Sequence, residues 1–159
     1  MLTFLTDKIR QPQVERRPAS LTLRMSQDAT IEETNPPWIR EVNKRLEHLR
    51  KLKQNWDGEG ASPISFECCI SSLMFLLESA SNETPAPQII PTSGGGLQLE
   101  WHVDGIDLEI RFSPTESATF YYVARNGEDV EGAVEMEGQR IRSILRALPA
   151  RNERNQPAR

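Results

Sequence analysis

The spacing of apolar residues predicts two helices in the first half of the chain. Apolar side chains recur every three or four residues in two stretches, which is the period of an amphipathic helix. The first helix is expected to start at Asn35-Pro36-Pro37 and to end near Trp56, before the turn residues Asp57-Gly58-Glu59-Gly60. The second is expected to start at Ser62-Pro63 and to be the central buried helix. Its apolar stripe comprises Ile64, Phe66, Cys69, Ile70, Leu73, Leu76, Leu77 and Ala80.

From residue 88 the apolar period changes to two, which predicts β-strands. A closing helix is expected from about Glu137 to Leu148, because Ile141, Ile144 and Leu145 share one face with Leu148. The pattern predicts an α+β fold in which two N-terminal helices pack on one face of a four- to five-stranded antiparallel meander, closed by a C-terminal helix. The expected strands span residues 88–90, 97–103, 106–112, 119–124 and 129–134.

A β-hairpin is the most specific local prediction. Asp104-Gly105 stands between two alternating runs, which indicates a two-residue type I′ turn and therefore fixes the strand register. The pairs expected to face each other are Val103 with Ile106, His102 with Asp107, Trp101 with Leu108, Glu100 with Glu109, Leu99 with Ile110, and Gln98 with Arg111.

The polar face of this hairpin is the candidate site, with Glu100, His102, Asp107, Glu109 and Arg111 as its partner-binding residues. Glu100 opposite Glu109 destabilises a sheet unless a cation, a partner's Arg or Lys, or a shared proton compensates. His102 beside Asp107 adds a group that titrates near neutrality. Three interpretations stay open: a solvated face on which Arg111 reaches the glutamates, a partner-binding surface, and an acid–base or weak metal site.

The chain is expected to hold one folded domain. Residues 1–35 are expected to form an extended or mobile N-terminal arm, residues 36–148 a single α+β domain, and residues 149–159 a polar, Arg-rich tail. Cys68 and Cys69 are adjacent in a helical run, so they are expected to be reduced core thiols. With no run of about 18 apolar residues and no signal-like start, we expect a cytoplasmic protein without membrane contact, and we expect no cofactor.

Charge is distributed very unevenly along the 159 residues, whose net charge is −4. Residues 1–56 carry 11 basic and 7 acidic side chains, residues 57–137 carry 2 and 15, and residues 138–159 carry 6 and 1. The acidic middle block disfavours nucleic-acid binding through the sheet face and favours a basic protein partner. Nucleic acid stays possible through the basic first helix, with Arg40, Lys44, Arg45 and Lys51, and through the tail.

Two segments carry a resemblance to a family. The first is Asn55-Trp56-Asp57-Gly58-Glu59-Gly60-Ala61 followed by Ser62-Pro63. The second is Pro91-Thr92-Ser93-Gly94-Gly95-Gly96-Leu97-Gln98-Leu99-Glu100-Trp101-His102, with Leu108-Glu109-Ile110 after it. Over about residues 45–112 this resembles a family of small uncharacterised bacterial proteins with an NWDGxGA loop, a glycine turn, and Q-L-E-W and L-E-I strands. The turn departs from the family pattern, since an acidic residue is expected before the glycines.

The resemblance implies that the loop and the Glu100/Glu109 pair belong to one structural unit, and it implies no mechanism. We expect Trp56 to cover the apolar face of the hairpin near Trp101, and Asn55 or Asp57 to cap neighbouring backbone groups. The residues assigned to this structural motif are Asn55, Trp56, Asp57, Gly58, Gly60 and Trp101.

The leading functional hypothesis is a non-enzymatic protein-binding module, most concretely an antitoxin- or immunity-type neutraliser whose acidic sheet face meets a basic partner encoded by a neighbouring gene. One alternative is a small metal-dependent hydrolase using Glu100, Glu109, His102 and Asp107. Another is a nucleic-acid-associated regulator. The sequence contains no HExxH, paired CxxC or nucleophile-elbow motif, so no catalytic residue is assigned.

Overall fold

The computed structural model of the chain describes residues 35–149. Almost all of the predicted arm and almost all of the predicted tail lie outside the described residues. The elements, in chain order, are α1 (Ile39–Leu49), α2 (Phe66–Ser79), β1 (Gln88–Pro91), β2 (Leu97–Val103), β3 (Ile106–Phe112), β4 (Thr119–Val123), β5 (Asp129–Ala133) and α3 (Val134–Ala147).

The five strands form one antiparallel meander in which each strand pairs with the next in the chain. One face of this sheet and the buried sides of all three helices form a single apolar cluster. The predicted α+β fold is therefore confirmed. Its central core residues, which are almost fully buried, include Leu97, Leu99, Trp101, Leu108, Ile110, Ile141 and Leu145.

The predicted hairpin register is confirmed at every pair. Asp104 and Gly105 have φ values of 55° and 75°, so both turn residues are in the left-handed region that a type I′ turn requires. Because side chains alternate between the two faces of a strand, Leu99 and Ile110 lie in the core, and Glu100 and Glu109 lie on the opposite face.

The first helix is shorter than predicted, because it ends at Leu49 and not near Trp56. After Leu49 the helix tightens, with Lys51 N–H bonding the His48 carbonyl. Asn55 then takes a φ of 65°, which no helix accommodates. The start also differs, since Trp38 and not Asn35 is the N-terminal capping residue.

The second helix begins at Phe66, and the prediction of a central buried helix is wrong. Ser65, and not Ser62, caps it, since the Ser65 hydroxyl accepts the Cys68 N–H. The helix is apolar on both sides, so its period did not identify the side that meets the sheet. Small residues allow close approach there, and the buried set is Cys68, Cys69, Ser72, Phe75, Leu76 and Ser79. Four large apolar residues of the opposite side are 43–52% exposed, namely Phe66, Ile70, Met74 and Leu77.

The last helix begins at Val134, three residues earlier than predicted, with non-helical angles at Glu137. Its predicted apolar face is confirmed, because Ile141, Leu145 and Leu148 are buried and Ile144 packs against the core. Among the described residues, no helix combines the length and apolar character needed to cross a bilayer.

Cys68 and Cys69 are both buried and unbridged, as predicted for core thiols. Burial raises the pKa of both thiols, which disfavours the reactive thiolate.

Candidate functional site

The face of the sheet opposite the helices is here called the open face. The side chain of every second residue of each strand lies on it. Five of these side chains are carboxylates, and they are accompanied by one arginine and one histidine. These seven residues are Glu100, His102, Asp107, Glu109, Arg111, Asp129 and Glu131.

Glu100 and Glu109 are directly opposed across β2 and β3, as predicted. Their mutual repulsion is offset inside the chain by Gln98, whose amide nitrogen lies 2.7 Å from Glu100 Oε1 and 2.8 Å from Glu109 Oε2. One amide group therefore donates to both carboxylates. The sequence interpretation placed Gln98 on this face but did not identify it as the bridge, since two hydrogen bonds from one side chain depend on its rotamer.

Arg111 contacts Gln98 and not the glutamates directly. Its Nε donates to Gln98 Oε1 over 3.2 Å, so the guanidinium holds the amide in the orientation that faces its NH₂ group toward the carboxylates. The expected contact between Arg111 and the glutamates is thus indirect.

His102 joins the other end of this network. Its Nδ1 lies 2.7 Å from Asp107 Oδ1 and its Nε2 lies 3.1 Å from Glu100 Oε2. These hydrogen bonds, first to Asp107 and then to Glu100, raise the pKa of His102 above its ordinary value of 6.5. The Glu100 side chain is only 13% exposed, whereas those of His102 and Asp107 are each 50% exposed.

A second carboxylate pair lies on either side of an aromatic ring. Tyr121 of β4 is opposite Glu109 on one side and Glu131 on the other, and it is 38% exposed. These three residues line a shallow groove of about 550 Å³, together with Arg111, Thr119, Phe120 and Gly132. An exposed ring between two carboxylates matches a cationic side chain in both shape and charge.

The sequence analysis did not identify the row that Glu109, Tyr121 and Glu131 form across neighbouring strands. The loop between β3 and β4 contains Pro114 and has no two-residue turn, so the register of β4 cannot be read from it. Alternation within Thr119–Val123 was the available signal, and it leaves open which neighbours Tyr121 meets.

The Asn55–Ala61 loop is closed by its own motif residues. Asn55 Oδ1 accepts the Gly60 N–H over 2.7 Å, and Asp57 Oδ1 accepts the N–H groups of Glu59 and Ala61. Those two backbone bonds, that of Ala61 first, lower the pKa of Asp57. The expected capping by Asn55 and Asp57 is confirmed, and the positive φ values at Gly58 (81°) and Gly60 (98°) account for both glycines.

Trp56 does not lie against the hairpin, contrary to expectation. It is not part of the core cluster around Trp101, and its indole N–H donates to the Ser62 carbonyl within its own loop. The Trp101 N–H donates instead to the buried Pro85 carbonyl. The physical reason is the early end of α1, which leaves Trp56 in the loop and not on a helix face.

The segment after the loop connects it to the glycine turn. Ser62 N–H donates to the Ser93 carbonyl and Ser65 N–H donates to the Gly95 carbonyl, at 2.8 and 2.7 Å. A side chain at Gly95 would come within 2.8 Å of the Pro63 carbonyl oxygen, so only glycine allows this approach. The two segments that carry the family resemblance are thus joined by backbone hydrogen bonds. Among the described residues, no hydrogen bond joins the Asn55–Ala61 loop to Glu100 or Glu109.

The structure gives less support to the two alternative sites, the metal site and the basic nucleic-acid surface. Within residues 35–149, no group of three or more His, Cys, Asp or Glu is arranged to hold a metal ion. Two of the basic side chains near α1 make contacts within the chain, since Arg45 donates to the Ile89 carbonyl and Arg50 lies 4.8 Å over the Phe66 ring. Arg40, Lys44 and Lys51 are exposed.

Comparison with known proteins adds no relative. No family model matches the chain, and no curated protein and no solved structure matches it.

Proposed function

We propose that this protein is a non-enzymatic binding module whose open face binds a basic protein partner. The observation that carries the proposal is the row Glu109–Tyr121–Glu131, in which an exposed ring lies between two carboxylates on a sheet face that no described helix covers. Tyrosine is enriched among the residues that dominate binding energy at protein interfaces, and arginine is enriched with it.

The mode of binding follows from this row. An arginine of the partner stacks on Tyr121 and pairs with Glu109 and Glu131, while surrounding carboxylates steer the approach of the positively charged surface. The bridge from Gln98 fixes Glu109 before binding, which lowers the entropy lost when the complex forms.

The most concrete version of the proposal is an antitoxin- or immunity-type neutraliser. An acidic face both accelerates association with a basic toxin and occupies the basic surface with which such a toxin would hold its own substrate. Discovery of a small basic protein encoded by a neighbouring gene would support this version. The test is co-expression of the two proteins, with survival of the host lost when the open-face carboxylates are neutralised.

The binding proposal itself is tested by calorimetry with a hexa-arginine peptide at low salt. Changing Glu109 and Glu131 together to glutamine is expected to weaken binding at least tenfold, and Tyr121→Ala to weaken it severalfold, while Tyr121→Phe retains the ring and the affinity. The matched control changes Glu47 and Glu78, exposed carboxylates of α1 and α2, to glutamine and removes the same charge. Equal weakening in the control and in the open-face double variant would show attraction by net charge alone and would contradict the proposal.

A further inference from the structure

His102 lies between two carboxylates, and each of its ring nitrogens contacts one of them. An ionised carboxylate only accepts hydrogen bonds, and a neutral imidazole has one N–H and one acceptor nitrogen. Both contacts are therefore hydrogen bonds only when the ring carries both protons. The geometry is the one expected of an imidazolium that bridges Glu100 on its own strand and Asp107 on the next.

We propose that His102 is a proton-controlled clamp on the open face: as the imidazolium it holds both Glu100 and Asp107 in place, and on losing one proton it keeps its hydrogen bond to one of them and releases the other. The face then gains one unit of negative charge, and one carboxylate loses its histidine donor, as the pH rises. This inference concerns the free protein, and only its consequence for binding rests on the proposed function.

The charges around His102 favour its protonated form. Besides Glu100 and Asp107, Glu109 on β3 lies diagonally across from His102. The row formed by His102 and Asp107 continues through uncharged Val123 on β4 to Asp129 on β5. At the hairpin turn, Asp104 is paired with Arg125. Strand β1 reaches only as far as the Glu100 row, where it places Gln88.

Within the described residues, the side chains that donate to Glu100 are those of Gln98 and His102. Neutral His102 retains one N–H, so loss of a proton either leaves Glu100 with the amide of Gln98 alone or leaves Asp107 without a side-chain donor. Because the His102 side chain is half exposed, its proton exchanges freely with solvent.

For the proposed function, the clamp makes binding depend on pH. A basic partner and the His102 proton both interact with the same negative face, so by linkage each weakens the other. Affinity for a basic partner is expected to increase as the pH rises through the His102 pKa.

The clamp is tested without any partner, by nitrogen-15 NMR of the full chain between pH 5 and 9. The chain has two histidines, so a His48→Asn variant assigns the signals. We expect both ring nitrogens of His102 to be protonated at pH 6.5, the midpoint to lie above 6.5, and the carboxyl carbons of Glu100 and Asp107 to shift at that same midpoint.

Two variants make the result decisive. Asp107→Asn and Glu100→Gln each keep the shape of the side chain and remove one charge, and each is expected to lower the His102 midpoint. A neutral His102 at pH 6.5, or a midpoint unchanged in both folded variants, would overturn the clamp. Failure of the hexa-arginine titration would overturn the proposed function and leave this NMR result unaffected, so the two outcomes are distinguishable.

Discussion

Glu100 and Glu109 lie directly opposite each other on neighbouring strands, and one side-chain amide donates a hydrogen bond to each of them. A like-charge pair at such a position destabilises a sheet when nothing lies between the two groups. Here Gln98 supplies the donors, and Arg111 orients Gln98. The pair is therefore part of a fixed network, and its charge stays available to a partner.

Removal of the bridge is expected to destabilise the fold. Gln98→Ala leaves two opposed carboxylates without their shared donor, and the expected loss in the free energy of unfolding is about 1–3 kcal/mol at pH 7. Urea denaturation of the wild type and of the variant at pH 7 measures it.

A double-mutant cycle shows whether the loss comes from the carboxylates. Glu109→Gln removes one charge and is expected to recover part of the stability lost in Gln98→Ala, giving a coupling free energy between the two positions. Strict additivity of the two changes would show that Gln98 acts only by packing.

The hairpin that holds this network was predictable in full. The Asp104-Gly105 turn and strict alternation on both sides leave one register that buries the apolar residues, and any slip by one residue would expose them all. The role of Gln98 was not predictable, because alternation fixes the face on which a side chain lies but not the hydrogen bonds that it makes.

The stability contributed by His102 is expected to depend on pH with a definite sign. The hydrogen bonds that His102 donates to Asp107 and Glu100 raise its pKa in the folded chain, so its contribution is fully present below the unfolded pKa, about 6.5, and is lost as pH rises through the folded pKa. Wild type should exceed His102→Gln in stability at pH 5.5, and the difference should vanish by pH 9. A difference that grows with pH would show that the assigned sign is wrong.

The glycine turn gives a matched pair of substitutions. A side chain at Gly96 would overlap the Phe112 carbonyl oxygen, whereas one at Gly94 meets nothing within 4 Å. Gly96→Ala is expected to cost about 2 kcal/mol or more, since backbone atoms must move, and Gly94→Ala to cost less than about 0.5 kcal/mol. Thermal unfolding of the two variants compares them, and equal midpoints would contradict the close approach.

Two adjacent leucines of α2 test the corrected orientation of this helix. Leu76 is 1% exposed and Leu77 is 49% exposed. Leu76→Ala is expected to cost about 2–5 kcal/mol and Leu77→Ala less than about 1 kcal/mol in the free energy of unfolding. Similar losses at both positions would instead favour the buried stripe predicted from the sequence.

The sequence was least informative where apolar residues surround a helix or precede it. In α2 both sides are apolar, so the period does not choose between Leu76 and Leu77. Trp38 is 3% exposed and its indole N–H bonds the Ser81 carbonyl, yet it stands before the first periodic residue and was not recognised as core. The end of α1 was misplaced because Trp56 continues the apolar period by chance, whereas the backbone at Asn55 prevents a helix there.

Binding through the open face is tested most directly by mapping the amide chemical-shift changes that hexa-arginine causes at low salt. We expect these changes to concentrate on β3, β4 and β5 around Glu109, Tyr121 and Glu131, and to disappear when both glutamates are changed to glutamine. Shifts spread over the exposed carboxylates of the helices, or a map unchanged in the double variant, would contradict binding through this face.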